Sequence, residues 1–122
     1  MGRIQREYLK YLMILPRKLE VEIHRAEEGG FWARVKGLPG CNTQGEDFFD
    51  LIEMINDAVL TYFEVPDKFR KFVGHYVPEI YPKAGKDIEE SIRYAKIEEV
   101  VNKIIKNKRV LEFSNIGSSQ TY

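Results

Sequence analysis

The 122-residue chain has no net charge, because 19 Lys and Arg are matched by 19 Asp and Glu. An obligate nucleic-acid binder usually carries a basic excess, so that class is demoted, although a local patch could still bind. Cysteine is nearly absent. Cys41 alone cannot close an intramolecular disulfide, which argues against a small disulfide-stapled secreted domain and fits a reducing cytosol. Long apolar runs are missing too. Leu12-Met13-Ile14-Leu15 falls far short of the roughly 20 residues of a membrane span and is closed by Pro16, Arg17 and Lys18. Arg3, Arg6, Glu7 and Lys10 precede it and no small-residue cleavage site follows. Neither a signal peptide nor a membrane anchor is expected, and a cytoplasmic location is. Fixed-period repeats and low-complexity tracts are also lacking. With 43% apolar and 31% charged residues, the expectation is one soluble globular domain over residues 1–122.

Histidine is scarce. His24 and His75 form no HxxxH or HExxH pair, and with one cysteine no zinc site is expected. Gly29-Gly30, Gly37 and Gly40 lack the spacing of a phosphate-cradling loop and read as turn glycines. Cys41, in a Pro-Gly turn, reads as a packed small hydrophobe more readily than as a nucleophile. No catalytic, cofactor-binding or metal-ligating residue is assigned.

Alternation is the clearest pattern present. Leu19, Val21 and Ile23 alternate with Glu20, Glu22 and His24, which predicts a strand over 18–26 with one apolar face. Glu27-Glu28-Gly29-Gly30 predicts a turn. Phe31, Ala33 and Val35, alternating with Trp32, Arg34 and Lys36, predict a second strand, antiparallel to the first. Gly37-Leu38-Pro39-Gly40 breaks the pattern, and residues 41–44 predict a short third strand ended by Gly45.

Asp47 then suits a helix cap, with Asp50 three positions on. Phe48, Leu51, Ile52, Ile55, Ala58, Val59 and Tyr62 form one apolar stripe, so a helix is predicted from Phe48 to Phe63, stopping before Pro66. Residues 46–65 carry Glu46, Asp47, Asp50, Glu53, Asp57 and Glu64 and no base, which makes the outer face of this helix strongly negative.

The flanks are less legible. Residues 1–15 fit either a short amphipathic helix or an extended arm. Residues 67–74 predict a short helix, followed by an extended proline-rich connection. Asp87 suits the cap of a helix over 88–106, whose last-turn bases include Lys103 and Lys106, and 109–113 is a candidate final strand. The last residues, 114–122, read as a polar, flexible tail.

The run Gly30-Phe31-Trp32-Ala33, Leu38-Pro39-Gly40-Cys41 and Thr43-Gln44-Gly45 before an acidic helix resembles the signature of the HicB antitoxin family, over about residues 18–65. The resemblance implies an α+β core with an incomplete ribonuclease H-like fold, in which a three-stranded antiparallel sheet packs on a helix. Beyond that match, the residue pattern itself makes 66–113 a helical extension with a possible final strand. The resemblance also implies a non-enzymatic role, that of an antitoxin which binds a small basic toxin ribonuclease, HicA. Many such proteins add a DNA-binding segment after the core, but no helix-turn-helix pattern is found in 66–122.

In that role the acidic face of Asp47, Asp50, Glu53 and Asp57 would meet a basic RNA-binding surface, with Trp32 as the apolar anchor. The same acids also suit a solvated face and a helix-dipole complement, and Trp32 equally suits plain coverage of the outer sheet face. An orphan oligomeric regulatory or structural protein of this fold with no toxin partner, a homodimer or larger, is the alternative. A metal-dependent nuclease built on Asp50, Glu53 and Asp57 is a remote third.

Overall fold

Alternation does build the first hairpin. The computed structural model describes residues 2–79 and 110–116. Strand β1 (Lys18–Arg25) buries Leu19, Val21 and Ile23, and β2 (Phe31–Val35) buries Phe31, Ala33 and Val35. They pair antiparallel, with Val21 opposite Val35 and Ile23 opposite Ala33. Their turn closes through Ala26 N–H donating to Gly30 O at 3.0 Å. Gly30 holds φ +78°, and a Cβ there would stand 2.6 Å from Gly45 O, so the position admits only glycine. Strand β3 (Asn42–Gly45) pairs antiparallel with β2, placing Gln44 opposite Trp32.

Helix α2 (Phe48–Tyr62) starts where capping chemistry places it. The Asp47 carboxylate accepts the Asp50 N–H at 2.8 Å, and Asp50 Oδ2 accepts the Glu46 N–H at 2.9 Å. This is a capping box shifted by one residue, and it satisfies donors the helix cannot. Phe48, Leu51, Ile55 and Val59 are fully inside, and the Phe48 ring meets Phe31 edge-on at 6.4 Å. At the other end Val65 N–H donates to Leu60 O at 2.9 Å, and Glu64 takes the left-handed position (φ 58°) that glycine usually fills.

The expected three-stranded sheet is incorrect. Among the described residues the sheet has five strands in the order β3-β2-β1-β5-β4, antiparallel at every pairing. Strand β5 (Val110–Ile116) lies between β1 and β4 (His75–Pro78), with Leu19 opposite Phe113 and Tyr76 opposite Asn115. The span 66–113 is therefore no purely helical extension, since its described residues supply two strands. Of the helix predicted over 67–74, one turn forms, α3 (Asp67–Arg70). Ser114, Asn115 and Ile116, expected in a flexible tail, belong to β5. The predicted helix over 88–106, with its last-turn bases, lies outside the described residues.

Physical reasons for the miss are local. Strand β4 has only four residues, and Pro78 argues against a central strand; at a sheet edge its missing donor is harmless. Strand β5 alternates well, with Leu111 and Phe113 buried, but nothing in its sequence says that it pairs with β1.

Helix α1 (Gly2–Ile14) resolves the ambiguity of the first residues. Tyr8 meets the Phe72 ring at 5.9 Å and Tyr11 meets Phe69 at 5.8 Å. Leu15 is buried in the same core as α2 and the inner faces of β1, β2 and β5. The Tyr76 hydroxyl donates to Pro16 O at 2.5 Å, tying the α1–β1 turn to β4. No helix among the described residues is long and apolar enough to cross a membrane.

Candidate functional site

The four acids singled out on or beside α2 are all exposed, and each has its own local environment. Asp47 and Asp50 hold the start of the helix, as described. Glu53 lies 3.7 Å from His75 Nε2 on β4. Asp57 Oδ1 accepts from Arg70 Nη1 at 2.9 Å, while the same guanidinium donates to Val65 O at 3.0 Å and to Thr61 Oγ1 at 3.2 Å. Asp50, Glu53 and Asp57 thus engage three different groups and do not close on one point. Among the described residues no three His, Cys, Asp or Glu side chains are placed to hold a metal ion.

Two features of this helix surface escape a reading of the sequence. Arg70 and His75 bring positive or ionisable groups against the acids from α3 and β4, at sequence distances where no local pattern operates. Phe49 and Met54 lie outside the buried stripe and remain 56% and 37% exposed, so large apolar side chains stand among the acids. Their signal was present in the sequence as apolar residues off the helical stripe.

Trp32 occupies the other side of the sheet. Phe31 and Ala33 point into the core beside α2, so Trp32 points to the outer face, where it is 37% exposed. Its ring stacks on His24, its cross-strand neighbour, at 4.2 Å and 14°. Beside them Arg34 donates to Glu22 Oε1 through Nε at 3.1 Å and Nη2 at 2.6 Å. That guanidinium holds the Glu22 carboxyl below its ordinary range. The acids and Trp32, read together from the sequence as one docking set, therefore stand on opposite sides of the sheet. The strand that runs between these two surfaces is β3, which pairs with Trp32 on one side and underlies α2 on the other.

Cys41 is buried, and burial pushes its thiol above the ordinary range. It fits a packed hydrophobe and offers little thiolate. The expected outcome with a thiol reagent at mild alkaline pH is slow labelling in the native protein, accelerating as denaturant opens the fold. Fast labelling of the native chain would contradict its place in the core.

Taken together, these features define a small α+β domain with an antiparallel sheet, helices on one face, and two chemically distinct outer surfaces. Over 65 residues, 52% of this chain, the sequence is 32% identical to a UPF0150 protein of Archaeoglobus fulgidus, of which the match covers 94%. The chain belongs to the UPF0150 family. No protein-family model matches it, and no solved structure does.

Proposed function

We propose that this UPF0150 protein is a HicB-like antitoxin that binds a small basic toxin ribonuclease of the HicA type and covers its RNA-binding surface. The observation that carries this reading is the outer face of helix Phe48–Tyr62, whose own charged residues are all acidic, although Arg70 and His75 approach two of them from α3 and β4. Asp47, Asp50, Glu53 and Asp57 are exposed to solvent, and Phe49 and Met54 stand among them as apolar contacts. Opposite charge speeds encounter and fixes orientation, and apolar anchors supply most of the affinity. The resemblance of residues 18–65 to the HicB signature agrees with it, and the signature glycines Gly30 and Gly45 are places where main chains touch. In this role the protein performs no chemistry. It presents a shaped negative surface that competes with RNA.

The test is association with a short basic protein encoded beside this chain. Co-expressed, the two are expected to elute as one species from a sizing column at micromolar concentration. The complex should cleave RNA more slowly than the partner alone. Separate elution, or unchanged cleavage with this chain in excess, would remove the antitoxin role.

A further inference from the structure

Among the described residues the sheet ends in two edge strands, β4 and β3, and the protein treats them differently. On β4 the main chain of Tyr76 turns away from β5 and is fully engaged by a side chain from α2. Asn56 Oδ1 accepts the Tyr76 N–H at 2.7 Å, and Asn56 Nδ2 donates to Tyr76 O at 2.9 Å. Pro78 has no N–H to offer. An incoming strand finds no donor along this edge, which is how natural sheets avoid unwanted pairing.

Strand β3 lacks this protection. Val35 N–H donates to Cys41 O at 3.0 Å, and the register sets Ala33 opposite Thr43 and Phe31 opposite Gly45. Alternation then turns the main chains of Thr43 and Gly45 toward β2, and those of Asn42 and Gln44 outward. The Asn42 N–H is engaged by Gly40 O at 3.1 Å and the Glu46 N–H by Asp50 Oδ2 at 2.9 Å. Among the described residues nothing engages the N–H and C=O of Gln44. Its cross-strand neighbour is Trp32, exposed on the open face, and just beyond the strand's end stand Glu46, Asp47 and Asp50.

We infer that the free edge of β3 is the docking line for an extended, basic segment of a protein partner, which adds to the sheet as a further strand. The segment exchanges main-chain hydrogen bonds with Gln44, lays an apolar side chain toward Trp32 and sets a Lys or Arg near Glu46 and Asp50. This edge lies where the two surfaces separated by the sheet approach each other, so one partner strand can reach both. A second copy of this chain is a poorer occupant, because pairing β3 with itself brings two sets of these acids together without a base among residues 46–65. The inference rests on the partner being basic, as proposed above, and adds where and how it binds.

The probe is a synthetic octapeptide of alternating lysine and valine, with its glutamate–valine counterpart as control, added to the full chain. Amide hydrogen exchange is followed residue by residue. The lysine peptide is expected to slow exchange at Gln44, and the glutamate peptide is not. Gln44→Pro removes the outward donor without touching the β2–β3 ladder, so its melting should stay near that of the parent while peptide binding weakens about tenfold. The exchange measurement on the parent chain needs no variant and stands if Gln44→Pro folds poorly. Binding that leaves Gln44 exchange unchanged, or no binding up to about 1 mM, overturns the inference. So does protection of Gln44 that rises with the chain's own concentration, which would give the edge to a second copy. If a neighbouring basic protein co-purifies but Gln44 stays fast-exchanging in that complex, the edge is wrong and the antitoxin reading stands. If the peptide protects Gln44 but no basic protein associates, the antitoxin reading falls and the edge stands.

Discussion

Asn56→Leu is expected to unfold at a much lower denaturant concentration than the parent chain. Asn56 is a buried polar side chain of the core, 6% exposed, and it makes three hydrogen bonds, to Tyr76 N–H, Tyr76 O and Ile52 O. Leucine has a similar volume and restores none of them. Two main-chain groups of β4 lose their partners in a place water does not reach, at about 1–3 kcal/mol each. The apolar gain from leucine offsets part of this. The remainder is a large fraction of the roughly 5–15 kcal/mol that holds a typical domain together.

Asn56→Asp separates hydrogen bonding from packing. An aspartate keeps the acceptor for Tyr76 N–H but, when ionised, faces two carbonyl oxygens and has no proton to give. Burial and those carbonyls favour the protonated acid in the folded state, raising its folded pKa above the unfolded one. Stability of this variant is therefore fullest below the unfolded value and falls as pH rises through the folded one. Denaturant titrations at acid and neutral pH are the measurement. A variant as stable as the parent at neutral pH would show that β4 does not depend on this amide.

Gly45→Ala is the second large effect, and its cause is steric. A Cβ at Gly45 would lie 2.6 Å from both the N and the Cα of Leu51 and 3.1 Å from the Asp50 carbonyl carbon. Comfortable carbon contacts begin near 3.5 Å. The opposing atoms are main chain, so no rotamer change relieves the clash, and β3 and the first turn of α2 must move apart. Phe48 and Leu51, both buried there, lose contact with the sheet. Overpacking of this kind costs about 1–3 kcal/mol and at times more. Chemical denaturation measures it. An alanine variant of unchanged stability would mean that the helix does not rest on the strand as closely as described.

Much of the core was legible in residues 18–63. Strict alternation set the hairpin, Gly29-Gly30 set its turn, and Asp47 with Asp50 marked the helix start almost to the residue. These signals work because each acts within a few residues: a pleat has period two, a cap joins groups three or four positions apart, and a turn needs a backbone that glycine supplies. The acids of α2 were legible as exposed, since they fall off its apolar stripe. Their neighbours were not. Arg70 reaches Asp57 across 13 residues, and Asn56 joins Tyr76 across 20.

The amino-acid order alone determined which segments are strands in the first hairpin, where the long helix begins, and which of its faces is wet. Only the tertiary structure decided that β5 lies between β1 and β4, that the described residues build a sheet of five strands, and that Trp32 and the acidic helix look in opposite directions. Strand order and layer side follow from which distant segments pair and bury each other's apolar faces. No residue carries that information by itself, because it exists only once the chain has closed on itself.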